Sequence, residues 1–329
     1  MPLPIIPVRS KTRLGMLLAQ NFGLPARVLA APGSLLLCPG FPPAPFSTML
    51  GARVLPYIHD LFLITRPQDL NIRARLVMAA PFRFAVKRLP RFLVNSQTTA
   101  DELRHFCCRD AEIILYRPQV RNVFGLEPGG RAQRGATGGL ALVALGTVEP
   151  RKNLFAAAAI ITALRARGHG AARLDIVGRP GWGVDMAALG AVPGVTLHGY
   201  QTQDRVREMV DAADALLSTS HDEGLGLPLL EAQYGGLMVI APQMPVFREV
   251  LGESGLLINP ADPEASARII AEAMATPDWR DRHAALAAEN LQRWNDSAAR
   301  DRSAVIKLIS QLARGSAFAS PAGETELRC

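Results

Sequence analysis

Cysteine is scarce in this chain of 329 residues, and its few cysteines are poorly spaced for metal binding. Of the four, Cys107 and Cys108 are adjacent, and no two are separated by the pair of residues typical of zinc ligands. This pattern argues against a zinc site and against a disulfide framework, and it fits a cytosolic protein.

Long apolar runs are missing as well. The run Val28–Cys38 is broken by Pro32 and Gly33 and is shorter than the roughly 18 apolar residues of a membrane-spanning helix. The N-terminal residues lack the apolar segment and cleavage site of a secretory signal. The expected location is therefore the cytoplasm, with peripheral contact at the inner face of the cytoplasmic membrane as an extension.

The charge balance is basic, with a net charge of +7. Such a balance favours anionic partners, namely nucleotides, nucleic acid or an anionic membrane face, although a solvated basic surface explains it equally well. No basic motif with interleaved aromatic residues and no finger spacing is present, so nucleic acid is not an expected partner.

Alternating apolar strands and amphipathic helices predict an α/β protein with two parallel sheets. In the first half the predicted strands are Ser34–Cys38, Val54–Ile58, Phe92–Val94 and Ile113–Leu115. Thr98, with Asp101 three residues on, is predicted to open a helix with a capping box, and the chain is predicted to be helical from Pro263 to about Ala313. The predicted organisation is a reduced N-terminal Rossmann-like domain, a linker, a C-terminal donor-binding Rossmann-like domain, a helix that could return to the first domain, and a tail. The corresponding ranges are 1–125, 126–139, 140–296, 297–313 and 314–329.

The strongest chemical signal is a pair of carboxylates, Glu223 and Glu231, separated by seven residues. Between them lie Gly224, Gly226 and Pro228, and proline fits the first turn of a helix. Glu223 is thus predicted in a loop after a strand, with Glu231 one turn inside the next helix. Because carboxylates repel a diphosphate, both are expected to accept hydrogen bonds from ligand hydroxyls; a loop charge and an exposed helix residue are the alternative.

A second signal follows the first strand of the C-terminal half. Arg151 and Lys152 lie just after that strand and just before a helix, where ligands of doubly wound sheets bind. They could neutralise a diphosphate leaving group, or form only a solvated basic turn. No Asp-x-Asp metal motif occurs, so we expect no metal and no other cofactor, and cationic side chains in place of a divalent ion.

Several motifs together resemble the family 4 glycosyltransferases, which are retaining enzymes of the GT-B fold. They occur in that family's order: Glu149-Pro150-Arg151-Lys152-Asn153, Ile176-Val177-Gly178-Arg179, Leu197-His198-Gly199-Tyr200, the Glu223 to Glu231 block, Glu249-Val250-Leu251-Gly252 and Asn259-Pro260-Ala261-Asp262-Pro263. The resemblance implies two Rossmann-like domains facing across a cleft, with a nucleotide-diphosphate sugar as donor.

The resemblance also implies roles for individual residues. Arg151 and Lys152 would contact the donor diphosphate, Glu223 the sugar hydroxyls and Glu231 the ribose. The remaining predicted donor-binding residues are Gly146, Gly178, Arg179, Tyr200, Gly224, Leu225, Gly226 and Leu227. His59, at a strand end and followed by Asp60, would lie near the transferred sugar and completes the predicted catalytic set of His59, Arg151, Lys152 and Glu223.

The first half departs from that family, because residues 1–27 show no clear strand, glycine loop and helix. The segment from Arg73 to Arg91 mixes apolar and basic residues, so it could lie on an anionic bilayer or pack on its own sheet with a charged outer face.

The predicted function is transfer of a hexose, in the manner of a mannosyltransferase, to a glycan or lipid-linked acceptor of surface polysaccharide synthesis. GDP-mannose and UDP-glucose fit equally well. A degenerate scaffold that binds nucleotide sugar without turnover is the main alternative. A nicotinamide oxidoreductase needs three glycines after an early strand, and Gly224-Leu225-Gly226 lacks the third. A basic binding module would leave the paired motifs unexplained.

Overall fold

The computed structural model describes residues 12–40, 43–67, 75–127 and 139–314. The chain forms two compact units, one made of the residues up to Arg117 together with those from Arg300 onward, the other running from Pro118 to Ala299. Most of the predicted linker, residues 128–138, and nearly all of the predicted tail, residues 315–329, lie outside the described residues.

The first unit is built on a parallel sheet of four strands in the order β1-β2-β3-β4. Its described elements are α1 (Arg13–Leu18), a π-helical turn (Ala19–Gly23), α2 (Leu24–Ala30), β1 (Leu36–Cys38), a 3₁₀ segment (Pro45–Arg53), β2 (Val54–Ile58), α3 (Phe62–Thr65), a second π-helical turn (Arg75–Ala79), α4 (Ala80–Val86), β3 (Arg91–Val94), α5 (Gln97–Arg104) and β4 (Glu112–Leu115). The four predicted strands are present within two residues of their expected ends.

Both faces of this sheet are buried, as a parallel sheet requires. Val54 and Ile58 on β2 pack into one apolar cluster with Phe92 on β3. Leu55 and Leu93 point the other way and contact Val305 from the C-terminal helix. The continuous apolar runs of these strands are therefore explained by two covered faces.

Helix α5 begins one residue earlier than its predicted start. The Ser96 side chain, in an extended residue, accepts a hydrogen bond from the backbone N–H of Thr99 at 3.0 Å. Asp101, expected to complete a capping box with Thr98, instead accepts a hydrogen bond from the Gln97 side chain at 2.8 Å. The capping prediction at Thr98 was wrong because Ser96 offers a hydroxyl two residues earlier.

Helix α4 settles how the basic segment from Arg73 to Arg91 packs, except for residues 68–74, which lie outside the described part. Phe82, Ala85 and Val86 are buried in the core of the first unit, while Arg83 and Lys87 are exposed. The helix therefore packs on its own sheet with a charged outer face, and its apolar side is not free to enter a bilayer.

The second unit contains a parallel sheet of six strands in the order β10-β9-β8-β5-β6-β7. Its elements are β5 (Ala141–Leu145), a 3₁₀ turn (Pro150–Lys152), α6 (Leu154–Ala166), β6 (Arg173–Val177), α7 (Met186–Gly190), β7 (Val195–Gly199), α8 (Gln203–Ala212), β8 (Ala215–Leu217), α9 (Leu227–Ala232), a 3₁₀ turn (Gln233–Gly235), β9 (Met238–Pro242), α10 (Pro245–Leu251), a 3₁₀ turn (Gly252–Ser254), β10 (Gly255–Ile258), α11 (Pro263–Ala275) and α12 (Trp279–Ala313). The residues of α12 from Arg300 onward belong to the first unit.

The strand order places a topological switch point between β5 and β8. From β5 the chain proceeds outward to β6 and β7, and it then returns to β8 and continues outward to β9 and β10. The loops after β5 and β8 consequently leave the sheet in different directions, and ligands of doubly wound sheets bind in the crevice so formed. This topology positions the candidate site.

Three features of the second unit were not predicted. Strand β10 was missed, since its four residues are too few to show a period. The helical stretch expected from Pro263 to Ala313 is divided at Asp278, which has a left-handed backbone with φ of 57°. Helices α7 and α10 are too short to display helical periodicity.

Two further observations concern the state of the cysteines and the search for membrane-spanning helices. Cys38 and Cys107 are free thiols. Among the described residues, no helix combines the length and the apolar character needed to cross a membrane.

Candidate donor-binding site

The loop after β5 presents two cations at the carboxyl edge of the second sheet. Gly146 ends the strand with φ of 130°, and a Cβ there would lie 3.2 Å from Lys152 Cε, so the lysine stem lies over the glycine. The 3₁₀ turn from Pro150 to Lys152 follows, and Asn153 in the left-handed region starts helix α6. The loop thereby holds Arg151 and Lys152 at the strand end.

The loop after β8 presents the first carboxylate of the predicted pair. Gly226 adopts a left-handed backbone with φ of 77° and caps helix α9, and Pro228 occupies the first turn, as predicted. Glu223 therefore lies in the loop and Glu231 in the helix. Leu225 is buried in the apolar core, so only its backbone is available to a ligand.

Hydrogen bonds tie these two loops together. The backbone N–H of His221 donates to the carbonyl oxygen of Arg151 at 2.8 Å. The Thr219 hydroxyl lies 3.1 Å from the Lys152 carbonyl and 2.9 Å from that of Asn153. Because both loops also follow neighbouring strands, their side chains are held in a fixed relation to each other.

Four charged side chains alternate in sign across the joined loops. Arg151 donates to Glu149 at 2.8 Å and lies 3.0 Å from a Glu223 oxygen. Lys152 donates to the other Glu223 oxygen, which also accepts from Ser220 at 2.9 Å. The cations that were expected to face a diphosphate are thus paired with the carboxylate that was expected to face the sugar.

The pairing determines the ionisation of Glu223. Burial by itself would raise the pKa of this carboxyl, but the charges of Lys152 and Arg151 outweigh burial and bring the pKa below its usual value. In the same way, burial opposes ionisation of Arg151, whereas Glu223 and Glu149 raise its pKa. Both groups are therefore charged at neutral pH.

The ion pairs close the space between the loops. The cavity lined by Gly146, Lys152 and Glu223 has a volume of only about 30 Å³, room for about one water molecule. A more open groove of about 620 Å³ is lined by His221 and Gln243, among others, and shares Thr219 and Ser220 with the first cavity. A sugar diphosphate at the first position would have to separate Lys152 from Glu223.

The loop after β6 packs tightly against the loop after β5. A Cβ at Gly178 would lie 1.8 Å from the Gly146 carbonyl oxygen, so only glycine fits there. Val148 and Pro180 form a parallel bridge, and a Cβ at Gly183 would lie 2.8 Å from the Pro150 ring. The β6 loop is thereby fixed beside the basic turn.

Exposed planar side chains occupy the ends of β6 and β7. The Arg179 guanidinium lies 4.7 Å from the ring centroid of Tyr200, and the Tyr200 side chain is 67% exposed. Trp182, in the β6 loop, is 57% exposed. Such surfaces suit a nucleobase, which stacks on aromatic and guanidinium planes.

Glu231 differs from Glu223 because no cation pairs with it among the described residues. It is half-buried, and burial raises the pKa of its carboxyl above the usual value. A partly desolvated carboxylate without a charge partner is stabilised by hydroxyl donors, and a ribose diol would supply two.

His59 lies in the first unit at the carboxyl end of β2, with its side chain exposed. Its Nε2 is 2.6 Å from the Pro39 carbonyl oxygen, and since a carbonyl only accepts, we assign the proton to Nε2. Asn95 donates to the His59 carbonyl at 2.7 Å and fixes the residue from its other side. Its Nδ1 remains available to a ligand hydroxyl.

No cluster of three or more His, Cys, Asp or Glu suited to a metal ion occurs among residues 12–40, 43–67, 75–127 and 139–314. His105 caps the C-terminal end of α5, and His283 lies in α12.

Sequence reasoning assigned no role to three residues of this region, although Glu149 belongs to one of the motifs it quoted. Glu149 is only 7% exposed and holds Arg151, and Ser220 holds Glu223. Trp182 was also overlooked. Glu149 precedes Pro150 and Arg151 directly, and that adjacency is the signal that could have identified it.

The second unit matches a known family. The family described as glycosyl transferases group 1 covers residues 139–276, which include both loops and both carboxylates. O-antigen chain mannosyltransferase B of Escherichia coli is 29% identical over 142 residues, covering 42% of this chain and 37% of that protein. D-inositol 3-phosphate glycosyltransferase of Streptosporangium roseum is 27% identical over 314 residues, covering 88% of this chain and 65% of that protein. The chain thus covers less than two thirds of either relative.

Solved structures share the fold over most of the chain. WaaG, a glycosyltransferase involved in lipopolysaccharide biosynthesis, superposes with a TM-score of 0.60 at 17% identity, covering 96% of this chain and 86% of that one. Anabaena Alr3699/HepE in complex with UDP and glucose gives 0.61 at 18% identity, covering 87% and 82%. The predicted GT-B fold with two Rossmann-like sheets is confirmed. Residues 139–276 thus match the group 1 glycosyltransferases, and the chain is distantly similar to mannosyltransferases and inositol-phosphate glycosyltransferases.

Proposed function

We propose that the chain transfers a hexose from a nucleotide-diphosphate sugar to a hydroxyl of a glycan or lipid-linked acceptor, with retention and without a metal ion. The observation that carries the proposal is the contact of Lys152 and Arg151 with Glu223 at the switch point of the second sheet. Two cations and one carboxylate are the groups that a sugar joined to a diphosphate requires.

Donor binding would exchange partners within this cluster. The diphosphate would take the place of Glu223 beside Lys152, and Glu223 would turn to the sugar hydroxyls, with Ser220 still holding it. Each charged group then keeps a partner, so separating Lys152 from Glu223 to open the cavity costs little free energy. Arg151 stays anchored by Glu149 and by the Asp222 carbonyl at 2.9 Å, which fixes its position for the diphosphate.

The rest of the donor would extend from this cluster. The ribose would meet Glu231, whose lack of an ion-pair partner in the described chain suits a neutral diol. The base would lie against the exposed planar groups of Arg179, Tyr200 and Trp182. His59 is proposed as the catalytic residue of the first unit, with Nδ1 accepting from a hydroxyl.

A front-face displacement accounts for retention with these residues. The bond between C1 of the sugar and the phosphate oxygen breaks, and its electron pair goes to the phosphate, beside Lys152 and Arg151. The acceptor oxygen attacks C1 from the same face, and its proton passes to the leaving phosphate oxygen. In this scheme Glu223 accepts hydrogen bonds from the sugar hydroxyls and forms no covalent intermediate, so catalysis comes from orientation and charge stabilisation.

Release of nucleoside diphosphate from a panel of UDP- and GDP-sugars, assayed in excess EDTA, tests this proposal. One donor is expected to be consumed slowly, with water replacing the acceptor, at a rate that EDTA changes less than about twofold because side-chain cations stabilise the leaving group. Loss of activity in EDTA that Mg²⁺ or Mn²⁺ restores would contradict the metal-independent mechanism. Binding of a donor without release would identify a non-catalytic scaffold.

A further inference from the structure

Exposed apolar side chains are concentrated in one part of the first unit. Of the fourteen large apolar residues that are exposed in the described chain, eight lie between residues 16 and 49. They are Met16, Leu17, Leu18, Phe22, Leu29, Leu37, Phe46 and Met49, each at least 40% exposed. Soluble proteins rarely expose so many large apolar groups in one place unless the place binds something.

Several of these side chains lie close together. The rings of Phe22 and Phe46 have centroids 4.8 Å apart, which joins the π-helical turn to the 3₁₀ segment. Phe46 and Met49 are three residues apart on that segment, and such residues lie on the same side of a 3₁₀ helix. Leu37 lines a cavity of about 310 Å³ together with Leu24 of α2. We call these eight side chains the apolar surface.

The part of the sequence that carries the apolar surface is basic. Residues 1–59 contain five Lys or Arg and no Asp or Glu. Residues 1–100 contain twelve basic and two acidic residues, whereas the remaining 229 contain 24 basic and 27 acidic. The entire net positive charge of the chain therefore belongs to the part that carries the apolar surface.

Some of these cations are exposed, and others donate hydrogen bonds within the first unit. Arg53 donates to the carbonyl oxygens of Ala31 at 2.8 Å and Ser34 at 3.1 Å and so braces the end of α2. Arg27 on α2 is exposed, as are Lys87 and Arg88 beside α4, which packs against the 3₁₀ segment. Arg88 lies over the ring of Phe84, 3.8 Å from its centroid. Exposed cations thus lie on the elements that carry the apolar side chains or pack against them.

We propose that the apolar surface and its basic border dock on an anionic lipid bilayer. Apolar side chains surrounded by cations match the interface between acyl chains and anionic headgroups. A second copy of the chain would bring an equally basic face into contact with this one, which charge repulsion disfavours. The N-terminal residues 1–11 are also basic without an acid, so they offer no complementary charge.

This location differs from the segment Arg73 to Arg91, for which the sequence left bilayer contact open. The apolar side of α4 is buried in the core, so only its basic side can approach a membrane. The side chains that would insert into the bilayer are instead those of Phe22, Phe46 and Met49, and Met49 is 82% exposed. The inference does not depend on the proposed transfer reaction.

Flotation of the full chain with vesicles tests the proposal, using phosphatidylcholine alone and phosphatidylcholine mixed with phosphatidylglycerol. We expect binding to the anionic vesicles, little to the neutral ones, and weakening as salt is raised. The double variant Phe22→Ser and Met49→Ser should reduce the bound fraction about tenfold, because two inserting groups are lost. Ile306→Ser, on an equally exposed apolar residue of α12, should bind as the wild type does.

Charge is tested separately with Arg27→Glu, which should weaken anionic vesicle binding, against the exposed Arg302→Glu, which should not. Release of nucleoside diphosphate without vesicles should be the same in all variants, which separates this proposal from the transfer reaction. Equal binding to neutral and anionic vesicles, or no effect of the double variant, would overturn it. A wild-type dimer in sedimentation that the double variant dissociates would assign the surface to a second copy instead.

Discussion

Lys152→Ala is expected to lower kcat/KM for the donor by about 10²–10³, the usual cost of removing one preorganised group that stabilises charge in a transition state. Lys152 lies over Gly146 at the strand end, where the phosphate oxygen would gain charge as the bond to the sugar breaks. Arg151 cannot replace it, because Glu149 and the Asp222 carbonyl hold that guanidinium in place.

Folding should survive Lys152→Ala, since Glu223 keeps Arg151 and Ser220 as partners. Lys307→Ala is the matched control, because Lys307 is an exposed lysine on α12 with no part in the site. Steady-state release of nucleoside diphosphate measures both variants. Retention of more than about a tenth of wild-type kcat/KM in Lys152→Ala would remove this lysine from the leaving-group role.

Glu223→Gln is expected to lower donor turnover and, at the same time, to strengthen binding of the nucleoside diphosphate product. The glutamine retains the shape of the side chain but loses the charge that pairs with Lys152 and Arg151. Donor turnover should fall about a hundredfold, because the sugar is no longer held in position. Free nucleoside diphosphate should bind about tenfold more tightly, equivalent to roughly 1.4 kcal/mol, because Lys152 no longer has to break an ion pair with Glu223 before it contacts the diphosphate.

Calorimetric titration measures the affinity for the nucleoside diphosphate, and the assay of nucleoside diphosphate release measures donor turnover. A merely structural role for Glu223 would lower diphosphate affinity and turnover together, and that parallel loss would contradict the partner exchange. Because the pKa of Glu223 is below its usual value, the wild-type carboxylate stays ionised across neutral and mildly acidic pH, and the contrast with Gln should hold throughout that range.

The fold was largely predictable because parallel strands covered on both faces leave continuous apolar runs, as in Ala141–Leu145 and Val54–Ile58. Short elements escaped for a physical reason. Strand β10 pairs with β9 over only four residues, so its stability comes from tertiary pairing rather than from a local pattern. The start of α5 depended on which of two nearby hydroxyls, that of Ser96 or that of Thr98, caps the helix, and sequence spacing does not decide this.

The site was predictable as a set of residues but not as an arrangement. Glu223 and Lys152 are 71 positions apart, and their contact follows from the parallel pairing of β5 with β8. Sequence reasoning assigned the cations to the diphosphate and Glu223 to the sugar, and it could not show that they neutralise one another beforehand. The pairing of Glu149 with Arg151 is likewise a property of the folded chain, and so is the lack of a cation beside Glu231 among the described residues.

The donor site is tested most directly by calorimetric titration of UDP- and GDP-sugars, in EDTA, into the wild type, Glu231→Gln and the control Glu289→Gln, an exposed residue of α12. One donor should bind the wild type and the control alike and should fail to bind Glu231→Gln detectably. Since burial raises the pKa of Glu231, wild-type affinity should also fall as the pH is lowered towards that raised pKa, where the carboxylate is protonated. The thermal midpoint of Glu231→Gln at neutral pH should not decrease, because the folded chain no longer holds a desolvated charge. Equal donor affinity in all three proteins, or no affinity in the wild type, would contradict the assignment of this sheet edge as the donor site.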